Sequence, residues 1–379
     1  MHISFIIPTR NRSQELEYSL NELSQIDTES LGDNPELILV DNGSRVPIDM
    51  PDVLPNGIRV VCIRVETNLG AGARNLGVHQ AQGDWVIMLD DDSHLCRESN
   101  IAYLDQVDPN VAAVGGEIWL PDGSHEAGGL TEVVVGCGCA FRKNAFLQVG
   151  GYDNRFGYYA EEYDLCAKLI AKGYEVHHSK MLQFKHRKSS NGRDMNEILY
   201  RLVRNNGWVI QRYAPDQYRE HALESMKKRY KQVAIIENAL DGYQRGMFEL
   251  DETISNQVES TLSTNQWARF TGAKVVYQVL SELKEQTELR ILKIVGQPHG
   301  KGLETILRIA VELDFEIATP DFDDCTTKAI EVVGTLSPGP IADTLKNHPE
   351  AINFGCMSAE TGHSIKFECS TSDIPLHVQ

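Results

Sequence analysis

Val86–Ser93 reads VIMLDDDS, an apolar run that ends in three consecutive aspartates. Adjacent carboxylates repel, and desolvating them is costly unless a cation or hydrogen-bond donors compensate. A solvated turn accounts for one aspartate at a strand end, or for two. Three of them behind a buried strand point to a metal or a cationic ligand.

The segments before this stretch alternate between two periods. ISFII (Ile3–Ile7) predicts a short buried strand ended by Pro8. Leu16, Leu20 and Leu23 fall at helical spacing and predict a helix over Ser13–Leu23, with Ser13 as its N-cap. Glu15 and Glu17 miss the capping-box position. LILV (Leu37–Val40) predicts a second strand, RVVCIRV (Arg59–Val65) a third, Ala71–Gln80 a helix, and Trp85–Leu89 a fourth strand. Such alternation indicates an open, mainly parallel α/β sheet. Ligands of these sheets sit beyond the carboxyl ends of the strands. Pro8-Thr9-Arg10, Asp41-Asn42 and Asp90–Asp92 all occupy such ends.

The chain has 379 residues, enough for two domains or for one large domain with an appendage. Its texture changes near Asp216. Residues 216–289 are charged and helix-rich, and they include the basic run Lys227–Lys231. Beyond them, Arg290–Val295 predicts a strand, Leu303–Leu313 a helix, Phe315–Ala318 a strand and Thr326–Thr335 a helix. Residues 290–379 therefore read as a small second α/β unit after a catalytic-size region of 1–215. A formal charge of −18 excludes non-specific nucleic-acid binding, which needs a basic footprint. No apolar run reaches bilayer length and no secretory signal is visible, so a cytoplasmic location is expected. The basic run reads as a solvated helix face; a peripheral contact with anionic lipid is its alternative. The eight cysteines are scattered without metal-type or knot-like spacing, and reduced thiols are the expectation.

Three further stretches invite chemistry. GAGARNLG (Gly70–Gly77) misplaces the third glycine of a dinucleotide fingerprint, yet a tight turn feeding a helix suits a phosphate, with Arg74 as donor. GQPHGKG (Gly296–Gly302) is one residue short of a phosphate loop and lacks its hydroxyl, so it reads as an ordinary loop. YAEEYDL (Tyr159–Leu165) sets three acids before a predicted helix over Leu165–Lys172. Helix-dipole stabilisation explains them structurally. The aromatic approach Phe156-Gly157-Tyr158-Tyr159 would partly desolvate them, which raises proton affinity and suits a general base.

Taken in order, SFIIPTRNR, ILVDNGS, NLGAGARNLGV, GDWVIMLDDDS, GCGCAFRKNAFLQVGGYD, YYAEEYDLCAKL and YRLVRNNGWVIQRYAP resemble family 2 glycosyltransferases of GT-A fold, in their rhamnosyltransferase-like branch. The resemblance covers about residues 1–215. It implies a GT-A mixed sheet flanked by helices. It also implies a nucleotide pocket lined by Pro8, Thr9, Arg10 and Asp41, with Asn42, Gly70 and Asp91 in the same donor-binding set. Arg74 would face the donor's ribose or diphosphate. Asp90 and Asp92 would be the ends of a DxD motif, Asp92 ligating Mn2+ or Mg2+ and Asp90 nearer the ribose, with His186 as a further metal ligand. His177 and His178 read as strand-end residues. Gly136, Gly138 and Ala140 would floor the sugar site. The family usually shows Glu-Asp-x-Asp where this chain has Glu161-Glu162-x-Asp164. Glu162 stands at the usual base position, with Glu161 as the alternative and Asp164 in the same cluster.

The expectation is an inverting, metal-dependent transferase. It would move a sugar from a UDP- or dTDP-linked donor to a hydroxyl of a glycan, lipid-linked or small-molecule acceptor. A non-catalytic nucleotide-sugar or carbohydrate-binding protein of the same fold is the alternative. A sugar-1-phosphate nucleotidyltransferase is discounted, because PTRNRS lacks the glycine-rich opening of those enzymes.

Overall fold

The computed structural model describes residues 1–188, 194–258, 260–296, 301–318 and 328–355. The chain opens β1 (Ile3–Thr9), α1 (Ser13–Leu23), β2 (Glu36–Asn42), β3 (Arg59–Val65), α2 (Ala73–Gln80), β4 (Trp85–Met88) and β5 (Ser93–Leu95). It continues with β6 (Val111–Trp119), β7 (Cys139–Arg142), α3 (Lys143–Gln148), α4 (Glu161–Ala171) and β8 (Glu175–His186). These eight strands form one sheet in the order β3-β2-β1-β4-β7-β6-β8-β5. The first four pair in parallel, β7 runs antiparallel to both β4 and β6, and β8 lies parallel to β6 but antiparallel to β5. The sheet is thus the mixed α/β kind expected from the GT-A resemblance; the mainly parallel pattern holds only for its N-terminal half.

Side-chain alternation places this sheet between two apolar layers. Ile3, Phe5 and Ile7 of β1, Leu37 and Leu39 of β2, and Trp85 and Ile87 of β4 face one layer, where Leu16, Leu20 and Leu23 of α1 cover them. Ile6, Ile38, Val86 and Met88 face the other, under Val78 of α2 and the later helices. The period of two in the strands against 3.6 in the helices produces this division. Burial of each such side chain is worth about 1.5–3 kcal/mol, which holds the polar strand ends in register at one edge.

Five helices follow: α5 (Met195–Tyr213), α6 (Asp216–Ile236), α7 (Leu240–Thr253), α8 (Thr264–Thr271) and α9 (Ala273–Gln286). Met226, Tyr230, Leu250, Trp267 and Phe270 from these helices share an apolar core with Val134, Phe141 and Leu165 of the sheet region. The last elements are β9 (Ile291–Val295), α10 (Lys301–Glu312), β10 (Glu316–Ile317), β11 (Ile330–Val333) and α11 (Pro338–Asn347), with the three strands in a parallel sheet ordered β10-β9-β11. Among the described residues, no helix is long and apolar enough to cross a membrane.

Several local readings change. The helix expected over Thr326–Thr335 is a strand where described: Ile330, Val332 and Val333 are β-branched, and Val332 and Val333 are buried in the pairing with β9. Ser13 is the first helical residue of α1 and makes no cap; Arg12 precedes it. Helix α4 begins at Glu161, so the acid cluster lies inside its first turn rather than ahead of it. His177 and His178 fall within β8 and hydrogen-bond Glu175 and the Leu130 carbonyl respectively. Cys62, Cys96, Cys137, Cys139 and Cys166 are free thiols; Cys325, Cys356, Cys369 and most of the 296–302 loop fall outside the described residues.

Candidate active site

The ends of β1 and β4 meet at the three aspartates, and each carboxylate has a cationic partner, Asp91 and Asp92 sharing Arg12. Asp90 pairs with Arg74. Asp91 lies 2.7 Å from Arg12 and accepts a 2.9 Å hydrogen bond from the Thr9 hydroxyl. Asp92 lies 2.7 Å from the same Arg12 and 3.3 Å from Nε2 of His186. Burial pushes the Asp91 carboxyl up to about 7, with Asp90 and Asp92 adding to it against the pull of Arg12 and Thr9. Burial works against Asp92 as well, but hydrogen bonds from His186 and Arg12 hold it well below the usual carboxylate range.

His186 reaches this cluster because β8 pairs antiparallel with β5, which sets Ser93 opposite His186. Its Nδ1 faces Glu126 at 2.8 Å and the Cys137 sulfur at 3.5 Å. Burial lowers its proton affinity, yet Asp92, Cys137 and Glu126 together push it up to about 12. Donor atoms of Asp90, Cys137 and His186 lie within 4.8 Å of one another. Burial pushes the Cys137 thiol up to about 11, and sulfur is a soft donor ill matched to a hard cation. The Asp90 carboxylate and the His186 imidazole, joined by Asp92 at 3.3 Å from that imidazole, suit a hard divalent ion such as Mn2+ or Mg2+. Asp92, His186 and Asp90 therefore fit a cation chemically.

The acid cluster approaches from α4. Tyr159 and Ala160 both adopt left-handed backbone, at φ 71° and 64°, so the chain turns sharply before Glu161. Such conformations cost about 1–3 kcal/mol each and persist where the surroundings enforce them. Asn205 of α5 supplies that enforcement: its side-chain amide donates to the carbonyls of Phe156, Tyr158 and Tyr159 at 3.0, 3.0 and 2.6 Å. Glu162 is half-buried and accepts a 3.1 Å hydrogen bond from the Gly136 N–H. Gly136 has no room for a side chain there, since a Cβ would stand 2.7 Å from that carboxylate. Glu161 is buried, and its Oε2 has no hydrogen-bond partner. Burial raises the proton affinity of both glutamates, most strongly for Glu161, to which the neighbouring Glu162 charge also contributes. The buried Arg74 guanidinium pairs with Asp90, which, with lesser help from Tyr152, Glu161 and Glu162, favours its charged form against the cost of burial.

Other expected residues take different places. Asp164 is fully buried, with Arg212 and the Tyr213 hydroxyl each 2.7 Å from Oδ1 and Lys168 2.6 Å from Oδ2. It braces α4 against α5 and has no open path to an acceptor, which argues against a catalytic role. Asn42 spends its amide on Asn68 and Gly70 and accepts from the Leu69 N–H, so it shapes the turn after β3. Gly70, at φ 61°, packs on the Gly157 backbone where a Cβ would clash. Asp41 closes β2 with Arg64 at 2.6 Å and the Ser44 N–H at 2.9 Å. Arg10 is exposed and reaches the Gly43 carbonyl at 3.3 Å; Pro8 lies next to it at the end of β1. The sequence reading assigned no role to Arg12, Glu126 or Asn205. Arg12 was visible in PTRNR but had no spacing to mark it, and Glu126 carries no sequence signal at all.

Residues 4–101 match the family model described as Glycosyl transferase family 2. An uncharacterized glycosyltransferase of Haemophilus influenzae is 30% identical over 190 residues, which cover 44% of this chain and 62% of that protein. The chain thus spans less than two thirds of that relative's length. Among solved structures, the Pyrobaculum calidifontis mannosyltransferase PcManGT in complex with GDP-Man and Mn2+ is similar at 15% identity and a TM-score of 0.45, covering 82% of this chain and 86% of that one. GalNAc-T7 with UDP, GalNAc and Mn2+ is similar at 14% identity and a TM-score of 0.48, covering 68% of this chain and 57% of the other. Residues 4–101 are thus similar to family 2 glycosyltransferases.

Proposed function

We propose that this protein is a metal-dependent, inverting glycosyltransferase that moves a sugar from a UDP- or dTDP-linked donor to an acceptor hydroxyl. The observation that carries the reading is the meeting of Asp90 and Asp92 with His186, whose Nε2 lies 3.3 Å from Asp92. That edge of the sheet offers Asp92 and His186 to a cation, and α4 offers Glu162 as a base.

Asp92, His186 and Asp90 would hold Mn2+ or Mg2+. The ion would supply positive charge against the departing diphosphate. Thr9 and Arg12 hold the aspartates in place, and Asp41, at the end of β2, would line the base pocket. Glu162 is the better placed of the two glutamates to take the acceptor proton. It is the more exposed, and its Oε1 is fixed over Gly136, while Glu161 is enclosed. A raised proton affinity suits a base working near neutral pH. Gly136 and Gly138 let the backbone pack closely on Glu162 and Ile118, which a Cβ at either position would strike.

The test is Glu162→Gln beside Glu161→Gln. A general base contributes about 10²–10⁴-fold to rate with little part in holding the donor. Glu162→Gln is expected to lose transfer by that factor while Mn2+-dependent UDP affinity, read by calorimetry, stays near wild type. Normal turnover by Glu162→Gln and a dead Glu161→Gln would assign the base to the neighbour. A wild-type protein that binds UDP but neither transfers nor hydrolyses any UDP- or dTDP-sugar would be a binding protein instead.

A further inference from the structure

Among its contacts with the rest of the chain, the small C-terminal unit holds the hairpin that leaves β6. In that hairpin Trp119 bridges to His125, the Leu120 N–H donates to the Ser124 carbonyl at 2.8 Å, and the Glu126 N–H donates to the Ile118 carbonyl at 2.8 Å. Helix α11 and the residue before it hold the hairpin from outside. Asp343 accepts from the His125 N–H at 2.8 Å and from its Nδ1 at 2.6 Å. The Ser337 hydroxyl donates to the Gly128 carbonyl at 2.7 Å and accepts from the Gly128 N–H at 3.3 Å. The Lys346 ammonium stands 5.0 Å from the centre of the Trp119 ring. Gly339 lies directly on the Glu126 carbonyl, where a Cβ would clash.

Glu126, held between these contacts, turns inward. Its side chain is 9% exposed, with Oε2 2.8 Å from Nδ1 of His186 and Oε1 2.8 Å from Lys188. The imidazole therefore offers Nδ1 to Glu126 and Nε2 towards Asp92. A carboxylate on the far nitrogen of a metal-binding histidine fixes its tautomer and ring plane and raises its basicity, and losing such a partner typically costs about 10–100-fold in metal affinity.

We infer that Glu126 is the positioning residue for His186 as a metal ligand, and that the C-terminal unit, through Asp343, Ser337 and Gly339, sets the strength of that site by holding the Glu126 hairpin. The inference rests on the cation reading of Asp92 and His186. It gives the appended unit a part in the metal centre.

Full-length wild type, Glu126→Ala, Glu126→Gln, Asp343→Ala and Asp92→Ala are titrated with Mn2+, alone and with UDP, and free Mn2+ is read by electron paramagnetic resonance. UDP binding in EDTA and the thermal midpoint are measured on the same samples. Glu126→Ala is expected to weaken Mn2+ about 10–100-fold, with Glu126→Gln recovering part of the loss because it still accepts from Nδ1–H. UDP affinity in EDTA stays unchanged, which a general loss of structure would not permit. Asp343→Ala is expected to weaken Mn2+ in the same direction by a smaller factor. Should Asp343→Ala fail to fold, Gly339→Ala, which pushes on the Glu126 carbonyl, takes its place. Folded Glu126→Ala with wild-type Mn2+ affinity overturns the role of Glu126. Loss in Glu126→Ala with none in Asp343→Ala or Gly339→Ala overturns the part given to the C-terminal unit. If Asp92→Ala binds Mn2+ as wild type does, the cation reading itself falls and this inference with it.

Discussion

Substitution of Asp164 separates a brace from a base. Its carboxylate is fully buried and holds Arg212, Tyr213 and Lys168 within 2.7 Å. Removing one partner of a buried ion pair costs about 3–5 kcal/mol, because the other charge stays buried without compensation. Here Arg212 keeps Asp153 at 3.0 Å and Gln257 at 2.9 and 2.7 Å, and Lys168 keeps the Gly151 carbonyl at 3.1 Å, which places Asp164→Ala at the low end of that range. The Tyr213 hydroxyl loses its acceptor, adding about 1 kcal/mol. The expected loss is about 4 kcal/mol for Ala and, since Asn keeps one acceptor oxygen, about 2 kcal/mol for Asn. At about 2.1 cal/mol/K of unfolding entropy per residue, a chain of 379 residues shifts by roughly 1.3 °C per kcal/mol, so Asp164→Ala lowers the thermal midpoint by roughly 5 °C. Calorimetry of the full chain reads the midpoint, and sugar transfer is assayed well below it. A brace predicts that Asp164→Asn keeps transfer within a few-fold of wild type in the cold. A base predicts a loss of about 10²–10⁴-fold at unchanged stability. The second pattern would return Asp164 to the chemistry and refute the reasoning from burial.

Three other outcomes follow from the same geometry. Burial raises the proton affinity of Glu162, so it stays protonated, and inactive as a base, to a higher pH than an exposed glutamate. The acidic limb of the kcat profile should lie above the ordinary glutamate value of about 4.3 and disappear in Glu162→Gln; a limb at that ordinary value speaks against the base. Gly70→Ala is expected to displace the Gly157–Ala160 approach to α4, because Gly70 is left-handed and in contact with Gly157, and to reduce transfer while free UDP binding persists; an unaffected rate would show the two turns to be independent. A chain cut after Pro215 loses Met226, Tyr230, Leu250, Trp267 and Phe270, which share one core with Val203 and Trp208, and is expected to aggregate on the uncovered face; a monodisperse fragment that unfolds cooperatively would contradict that.

Local pattern was enough for the strands that carry the aspartates. Short apolar runs in ISFII, LILV and WVIM, each closed within two residues by a polar one, mark β1, β2 and β4, because a buried strand has to release its polar tail at the strand end. The same logic places Thr9, Asp41 and Asp90–Asp92 at one edge of the sheet. Pattern failed where a strand is short and its neighbours decide its state. The β-branched IEVV of β11 reads as helix in isolation and becomes a strand because β9 supplies the missing hydrogen bonds. It failed again for groups whose roles come from contacts distant in sequence. Whether Asp164 meets Arg212 and Tyr213 or an acceptor depends on how α4 docks on α5, 48 residues away. Glu126 reaches His186, 60 residues on, only through the hairpin held by α11. Side-chain period and charge are properties of neighbours along the chain and were legible there. Which buried carboxylate meets which cation is a property of packing between distant segments, and only the tertiary structure decides it.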